Sequence, residues 1–527
     1  MKKQNLVKGA LILTASSFIT RMLVFTLSIV ESRVLGPEGI GLKKMAMSFL
    51  GLMMTLTTIG LPVAISKLVA EANTQGNRTK VKKILIVSLA IMGSLSVIVG
   101  SLSIMVSKFG SSHFLNDPRS YFSFIALIPL IPIGAVSSVL KGYFRGMQNM
   151  NPIALSQVFE KIVQLILTYV FVQYLIPLGI EYAAAGAVLS GVIGEIFSLL
   201  VFIVMFKMEY HKKIRIPYPR WTNVVKGKRM LFELLQTGLP TTGDGFIKSF
   251  SRALQPVVIT KSLAIAGVGS AMIAKQYGML TGYVMPLIFL PGFINQSLRV
   301  TLVPALSEAN AKNNQMLIQR RLNQAIGAAL IVGAPSTVLL YLFAPELMSI
   351  IYRSPSAAPL LKLIVPFFLF NYLQTPLQSA LVGIGLAKKA MFNNIIATGI
   401  TIALIYPLAA NLGLGILGVI LAISFGIISE TLLHYFCVVK AIDFHLDIKY
   451  VTKIIFAGLS MGFCSRTLFV SITQLTSIEL FNLTLLASVL VSILVYITVL
   501  GFLKIIHQHD VMRIPGVGKI LGSFFPT

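Results

Sequence analysis

Three charged residues recur at a spacing of four: Asp244, Lys248 and Arg252. In an α-helix that spacing puts side chains on one face, one turn above another. All three sit in an otherwise apolar stretch, residues 233–259, and another arginine, Arg21, lies deep in the apolar stretch 8–30. A guanidinium is a planar fork of donors that matches phosphate oxygens bidentately, so two converging on one point would hold a diphosphate. On this ground Arg21, Arg252, Lys248 and Asp244, together with Arg33, are the candidate substrate-binding residues. The competing use of the trio is an internal ion pair, Asp244 to Lys248, that holds helices together.

Other charges in apolar surroundings read as structural. Glu160 and Lys161 are adjacent, so they point to different faces and are expected near the membrane interface. Arg299 and Arg466 are expected to snorkel to the surface from their stretches. Cys437 and Cys464 show no metal-type spacing, and His507 and His509 suit neither helical metal ligation nor a triad. No phosphate-cradling GxxxxGK loop or HExxH is present. The chain therefore reads as a non-enzyme needing no metal or cofactor. It also lacks room for a nucleotide-hydrolysing domain, so any transport would draw on an ion gradient, the membrane potential or the substrate's own gradient.

The elements that must position these residues follow from composition. The 527 residues are 56% apolar and 12% charged, with a mean hydropathy of +0.85, against about 25% charged in a soluble domain. Apolar segments fall at about 8–30, 44–65, 84–107, 121–140, 153–174, 183–206, 233–259, 277–303, 322–344, 360–384, 390–410, 413–438, 451–473 and 482–506. Each is long enough to cross a bilayer, roughly 20 residues. Each must be helical, because hydrocarbon offers the backbone no hydrogen-bond partners. Pro129, Pro132, Pro240, Pro286 and Pro291 are candidate kinks. The expected fold is an all-α polytopic membrane protein with fourteen transmembrane helices. An arginine or lysine at a helix centre costs about 2.5–3.5 kcal/mol on insertion scales, so the charges above should face water or a partner.

The net charge of +27 would suggest nucleic acid in a soluble protein. Here basic residues concentrate on every second connection, roughly three to one, as the positive-inside rule requires. Both termini are then cytoplasmic and no nucleic-acid partner is expected. The one misfit is the first external loop, which would hold Arg33, Lys43 and Lys44. The longest connection, 207–232, carries eight Lys/Arg and the only tryptophan, Trp221; it reads as a basic cytoplasmic linker, with a lipid-headgroup anchor as the alternative.

The segments on either side of that linker echo each other. Arg21 is followed fifteen residues later by Gly36, and Arg252 fifteen residues later by Gly267. Leu61-Pro62-Val63-Ala64 with Glu71-Ala72-Asn73 corresponds to Val303-Pro304-Ala305 with Glu308-Ala309-Asn310. Gly186 and Gly194 correspond to Gly418 and Gly426; Leu140-Lys141-Gly142 corresponds to Leu381-Val382-Gly383. Six segments per half make the repeat parallel, which places a substrate site at a central cavity between the halves. The expected organisation is a lobe over 1–206, the linker 207–232, a second lobe over 233–440, and two extra helices with a cytoplasmic tail over 441–527.

Several strings carry a family resemblance: Gly60-Leu61-Pro62-Val63-Ala64-Ile65-Ser66-Lys67, Lys141-Gly142-Tyr143-Phe144-Arg145-Gly146-Met147-Gln148, Glu181-Tyr182-Ala183-Ala184-Ala185-Gly186, Ala274-Lys275-Gln276-Tyr277-Gly278 and Leu302-Val303-Pro304-Ala305-Leu306-Ser307-Glu308. With them the chain resembles the polysaccharide-transporter branch of the multidrug/oligosaccharidyl-lipid/polysaccharide exporter superfamily. The resemblance implies a flippase for an undecaprenyl-pyrophosphate-linked glycan, working by alternating access in the cytoplasmic membrane. For sporulation members it implies the peptidoglycan precursor lipid II, destined for spore cortex, and a forespore-associated membrane. The implied partners are the polyprenyl-pyrophosphate-linked oligosaccharide, membrane lipids and cell-wall synthesis proteins. Arginines on the first span matter in related peptidoglycan flippases, and Arg21 matches that position; no counterpart of their span-two arginine aligns here. The last two helices imply a groove for the polyprenyl tail. Alternatives are a cation-coupled drug exporter, a membrane-bound polymerase and a non-transporting scaffold for wall assembly.

Overall fold

The computed structural model describes residues 6–213, 227–475 and 481–505. The first part of the chain runs through α1 (Leu6–Val34), α2 (Gly36–Thr58), α3 (Leu61–Thr74), α4 (Arg78–Phe109), α5 (Ser120–Leu127), α6 (Leu130–Gly146), α7 (Asn151–Leu175) and α8 (Ile180–Lys213). It continues through α9 (Gly227–Ile265), α10 (Ser270–Gly278), α11 (Met285–Phe289), α12 (Phe293–Ala311), α13 (Gln315–Leu342) and α14 (Ala344–Tyr352). The last five are α15 (Ala358–Gly383), α16 (Ala387–Tyr406), α17 (Ile416–Ile442), α18 (Ile448–Leu475) and α19 (Phe481–Phe502). Among the described residues there is no strand.

The protein is a polytopic membrane protein. Eleven helical stretches of the described residues are long and apolar enough to cross a bilayer, and a twelfth is formed if α2 and α3 are one span bent by 43°. Two expected spans, 233–259 and 277–303, are not among these. The first lies in α9, whose apolar character is diluted by Asp244, Lys248 and Arg252. The second is cut into short pieces, with π-helical Met279–Val284 and 3₁₀ Leu290–Gly292 between α10, α11 and α12. Pro286, just after the first break, and Pro291, within the second, withhold backbone donors, and a single continuous helix does not form there. The proline at 129 likewise falls at the break between α5 and α6.

The expected first external loop is corrected most. α2 begins at Gly36, with only Leu35 between it and α1, and Gly36 is at φ +71°. A positive φ is open to glycine because it lacks a Cβ. Lys43 and Lys44 are therefore two turns inside a membrane helix rather than in a loop, and only Arg33 stays beside the connection.

The chain packs as two compact units, one of residues 1–286 with 405–416, the other of 287–404 with 417–527. In the first, α7 packs on α8 and α1, and α2 packs on α9 and α10. The α2–α10 crossing brings backbones together: a Cβ on Gly41 would lie 1.9 Å from the Ala274 carbonyl oxygen, and one on Gly278 1.8 Å from that of Pro37. Small residues are what let membrane helices approach this closely. In the second unit α15 packs on α12 and α13, and α18 on α13 and α19.

The repeat seen in the sequence recurs in local packing inside each unit. Gly142 of α6 lies against Pro62 and Ile65 of α3, as Gly383 of α15 lies against Val303 and Leu306 of α12. The α3–α4 turn passes through Gly76 at positive φ into Asn77, whose side chain accepts from the Lys80 N–H at 2.9 Å. The α12–α13 turn passes through Asn313 at positive φ into Asn314, which accepts from the Leu317 N–H at 2.9 Å. Both turns end one helix with a left-handed residue and start the next with an asparagine cap.

Candidate functional site

Within the first unit the helices enclose a cavity of about 250 Å³, lined on its polar side by Lys43, Lys141, Glu160, Lys161, Gln164 and Glu195. Its apolar wall includes Met47, Met54 and Leu127. Each charge meets an opposite one. Lys43 of α2 donates to Glu31 of α1, and both side chains are buried. Lys141 of α6 reaches Glu195 of α8 at 3.3 Å, its Nζ 5.9 Å from the centre of the Phe202 ring. Lys161 of α7 donates to Glu160 at 2.6 Å and to Gln164 at 2.9 Å.

These pairs exist because the helices leave them no cheaper choice. Removing an ion from water costs several kcal/mol even after relaxation, and a close partner with further hydrogen bonds offsets that. Small residues open the space: Gly191 sits over the Gln164 amide, and Gly194 over the backbone of Glu160. The chemistry available is electrostatic. Three ammonium groups are paired with three carboxylates here, and an entering anion would compete with a glutamate for its lysine.

The candidates named from spacing all lie in this unit. Arg21 is half-buried on α1, and Arg33 is exposed near the end of the same helix. On α9, Lys248 is half-buried and Arg252 exposed, one turn apart. Asp244 is also on α9, but its side chain falls outside the described residues. The neighbouring stripe of α9 turns to α2: Ser249 and Thr55 share a hydroxyl hydrogen bond of 2.8 Å. Lys248 and Arg252 thus stand beside the α2–α9 seam, in the same compact unit as Arg21.

Glu160 and Lys161 were expected as a pair at the interface; they instead line the cavity, because the long lysine side chain bends to the carboxylate beside it and the Gln164 amide one turn on. Lys141, just beyond the apolar stretch 121–140, is inside α6 and paired to α8. Glu31, Lys43 and Glu195 were not singled out by spacing. The signal that finds them is their type: an acid or lysine within an apolar segment needs a partner, whatever its neighbours in sequence. In the second unit Arg466 is paired: its Nη1 bonds Glu346 of α14 at 2.8 Å, with its guanidinium near the Phe343 and Phe469 rings. Arg299 is exposed, as expected, and donates to Gln378 at 2.5 Å. Trp221 and most of the basic linker, residues 214–226, lie outside the described residues, as do His507 and His509.

At the far end of the unit, Arg119 binds Asp117 at 2.8 Å and Glu38 at 2.6 Å, tying the start of α5 to the first turn of α2. The hydrogen bonds it donates to Asp117 and Glu38 hold this guanidinium in its charged form, raising its pKa.

Comparisons with known proteins agree with this architecture. The model of the family described as polysaccharide biosynthesis protein matches residues 6–310, and that described as MatE matches residues 280–407. Stage V sporulation protein B of Bacillus subtilis (strain 168) is 42% identical over 522 residues, covering 99% of this chain and 100% of its own. The lipid II flippase MurJ of the same organism is 24% identical, over 83% of this chain and 82% of its own length. A solved structure of a lipid II flippase MurJ in an inward closed conformation superposes with a TM-score of 0.65 at 18% identity, over 95% of this chain and 100% of that one.

Proposed function

The chain belongs to the polysaccharide biosynthesis protein family, and from that premise we propose that it is a flippase for a polyprenyl-pyrophosphate-linked glycan. The cargo is undecaprenyl-pyrophosphate-linked, and its sugar portion is that of the peptidoglycan precursor lipid II, used for spore cortex. The protein works in the cytoplasmic membrane with both termini on the cytoplasmic side, in sporulating cells in the membrane around the forespore. Similarity to a sporulation protein across almost the whole chain and to a lipid II flippase supports this reading.

One observation of the molecule itself carries it. In the apolar reaches of α1, α2, α6, α7, α8 and α9 stand seven basic residues, Arg21, Lys43, Lys44, Lys141, Lys161, Lys248 and Arg252, against five acidic ones, Glu31, Glu160, Glu195, Glu233 and Asp244. A membrane domain that only needed internal pairs would balance the two. The surplus positive charge suits a doubly or triply charged pyrophosphate, which arginine can grip bidentately. A cationic drug would be repelled by it.

The test is reconstitution of the full chain in liposomes with labelled lipid II and, in parallel, other polyprenyl-linked sugars and a cationic dye. Faster translocation of lipid II than in empty liposomes is the expected result. Transport of the dye alone would replace this reading with drug export, and no movement of any lipid-linked sugar would remove it.

A further inference from the structure

In the second unit a group of polar side chains is buried where α15, α16 and α17 meet. His434 of α17 is fully buried. Its Nδ1 lies 3.0 Å from the Asn393 amide nitrogen of α16, so in this arrangement Nδ1 accepts and Nε2 carries the hydrogen. Nε2 faces Glu430, one turn earlier, at 3.5 Å, and has no well-aligned hydrogen-bond acceptor. Glu430 in turn accepts from the Asn394 amide at 2.9 Å and from Gln374 of α15. Its side chain is 13% exposed, against 0% for the imidazole.

The surrounding elements bring amides rather than compensating charge. α15 contributes Gln374, itself held by Asn371 at 2.8 Å, and the Phe370 carbonyl, which takes the Thr431 hydroxyl. The only charge on α15 is Lys362, near its opposite end. α16 contributes Asn393 and Asn394; its charges, Lys388 and Lys389, are exposed in the first turn. α17 adds the Cys437 thiol, 3.4 Å from the Asn393 amide nitrogen, and the exposed Lys440 near its end. An ionised Glu430 in such a setting lacks a counter-charge unless the imidazole takes up a proton.

We propose that Glu430 and His434 form a proton-binding site, and that loading and releasing this proton couples transport to the proton gradient. This names the energy source for the flippase reading and rests on it. The step balances without a further reactant. A proton entering past Glu430 is taken by His434 Nε2, the nitrogen that faces it, from the tautomer in which the ring carries its hydrogen on Nδ1, giving an imidazolium beside a carboxylate and a pair with no net charge. In that tautomer the Asn393 amide is turned over, so that its oxygen accepts from Nδ1–H where its nitrogen had donated. In the reverse step the proton leaves by way of Glu430, the member nearer to water. Ionisable residues at membrane depth commonly serve such relays, and a pair that is neutral when loaded is free to move through a part of the cycle closed to an unpaired carboxylate.

The experiment uses the full chain in liposomes, with two readouts. Difference infrared spectra between acid and alkaline buffer should show imidazole and carboxyl bands that disappear in His434→Asn and Glu430→Gln. Translocation of labelled lipid II should be accelerated several-fold by a proton gradient and not by a sodium gradient, with both variants losing that acceleration while keeping the slow exchange seen without a gradient. Glu430→Gln keeps the amide network and serves where His434→Asn fails to fold. Absence of the bands in the unaltered protein overturns the site; bands with acceleration by sodium alone overturn the coupling. If no lipid-linked sugar moves but the bands respond to pH and vanish in the variants, the proton site stands and the cargo assignment falls.

Discussion

The Lys43 ammonium and the Glu31 carboxylate meet inside the first unit, with side chains 3% and 5% exposed. Twelve residues and a helix break separate them in sequence, yet each is the reason the other can be in the membrane. A lysine on α2 without Glu31 would be an unpaired charge in a dry interior, as would the glutamate without Lys43.

Breaking that pair from one side should be costly. Lys43→Met or Glu31→Gln is expected to destabilise by about 3–5 kcal/mol, because each leaves or half-satisfies a buried group. The double variant Lys43→Met with Glu31→Met should recover most of the loss. Thermal unfolding in detergent, followed as a double-mutant cycle, checks this; equal losses for single and double variants would mean that the pair is not an energetic unit.

The crossing of α2 and α10 leaves no space for a side chain. Gly41→Ala and Gly278→Ala should each force the helices apart, at a cost at or above the roughly 1–3 kcal/mol of ordinary overpacking. Gly93→Ala, at a helical glycine with nothing within 4 Å of its Cβ position, should be tolerated. Size-exclusion profiles and membrane levels of the three variants make the comparison, and a well-behaved Gly278→Ala protein would contradict the observed approach.

Arg21 and Arg252 are the pair to test for cargo. Alanine at either should weaken pyrophosphate binding by about 10–100-fold, the value of one lost charge-assisted contact of about 1.5–3 kcal/mol, with membrane levels unchanged. Lysine should restore part of the loss, since it keeps the charge but not the bidentate fork. Translocation of labelled lipid II by the double alanine variant at the normal rate would dismiss both residues.

A pH effect is expected at the α12–α13 turn. Glu308 is held below the usual carboxylate value of 4.5 by the hydrogen bond from Lys312 at 2.7 Å, then by the charges of Lys312 and Arg321. A carboxyl depressed in the folded state stabilises at pH above its unfolded value. That contribution is lost as pH falls from about 4.5 through the lower folded value. The group is fully exposed, so the effect is small and screened by salt. Melting curves at neutral and acid pH should show a pH-dependent component that is absent in Glu308→Gln and reduced at high salt.

The sequence by itself determined what rests on local chemistry. Hydrocarbon forces each apolar stretch to satisfy its own backbone, so helices were legible from composition alone. The echo between Leu61-Pro62 and Val303-Pro304, and between Gly142 and Gly383, reappears as matching helix contacts. Charge in apolar surroundings stands out in the sequence where it is periodic, as at Asp244, Lys248 and Arg252. Only the tertiary structure decided which charges share a cavity. Lys141 and Glu195 are 54 residues apart, and His434 is 41 from Asn393; no periodicity links residues on different helices. It also decided where helices begin and break, because Lys43 and Lys44 lower the local hydropathy so that the start of α2 resembles a loop. Hydropathy reports the transfer cost of a residue alone, whereas in the folded protein that cost depends on the partner a neighbouring helix supplies.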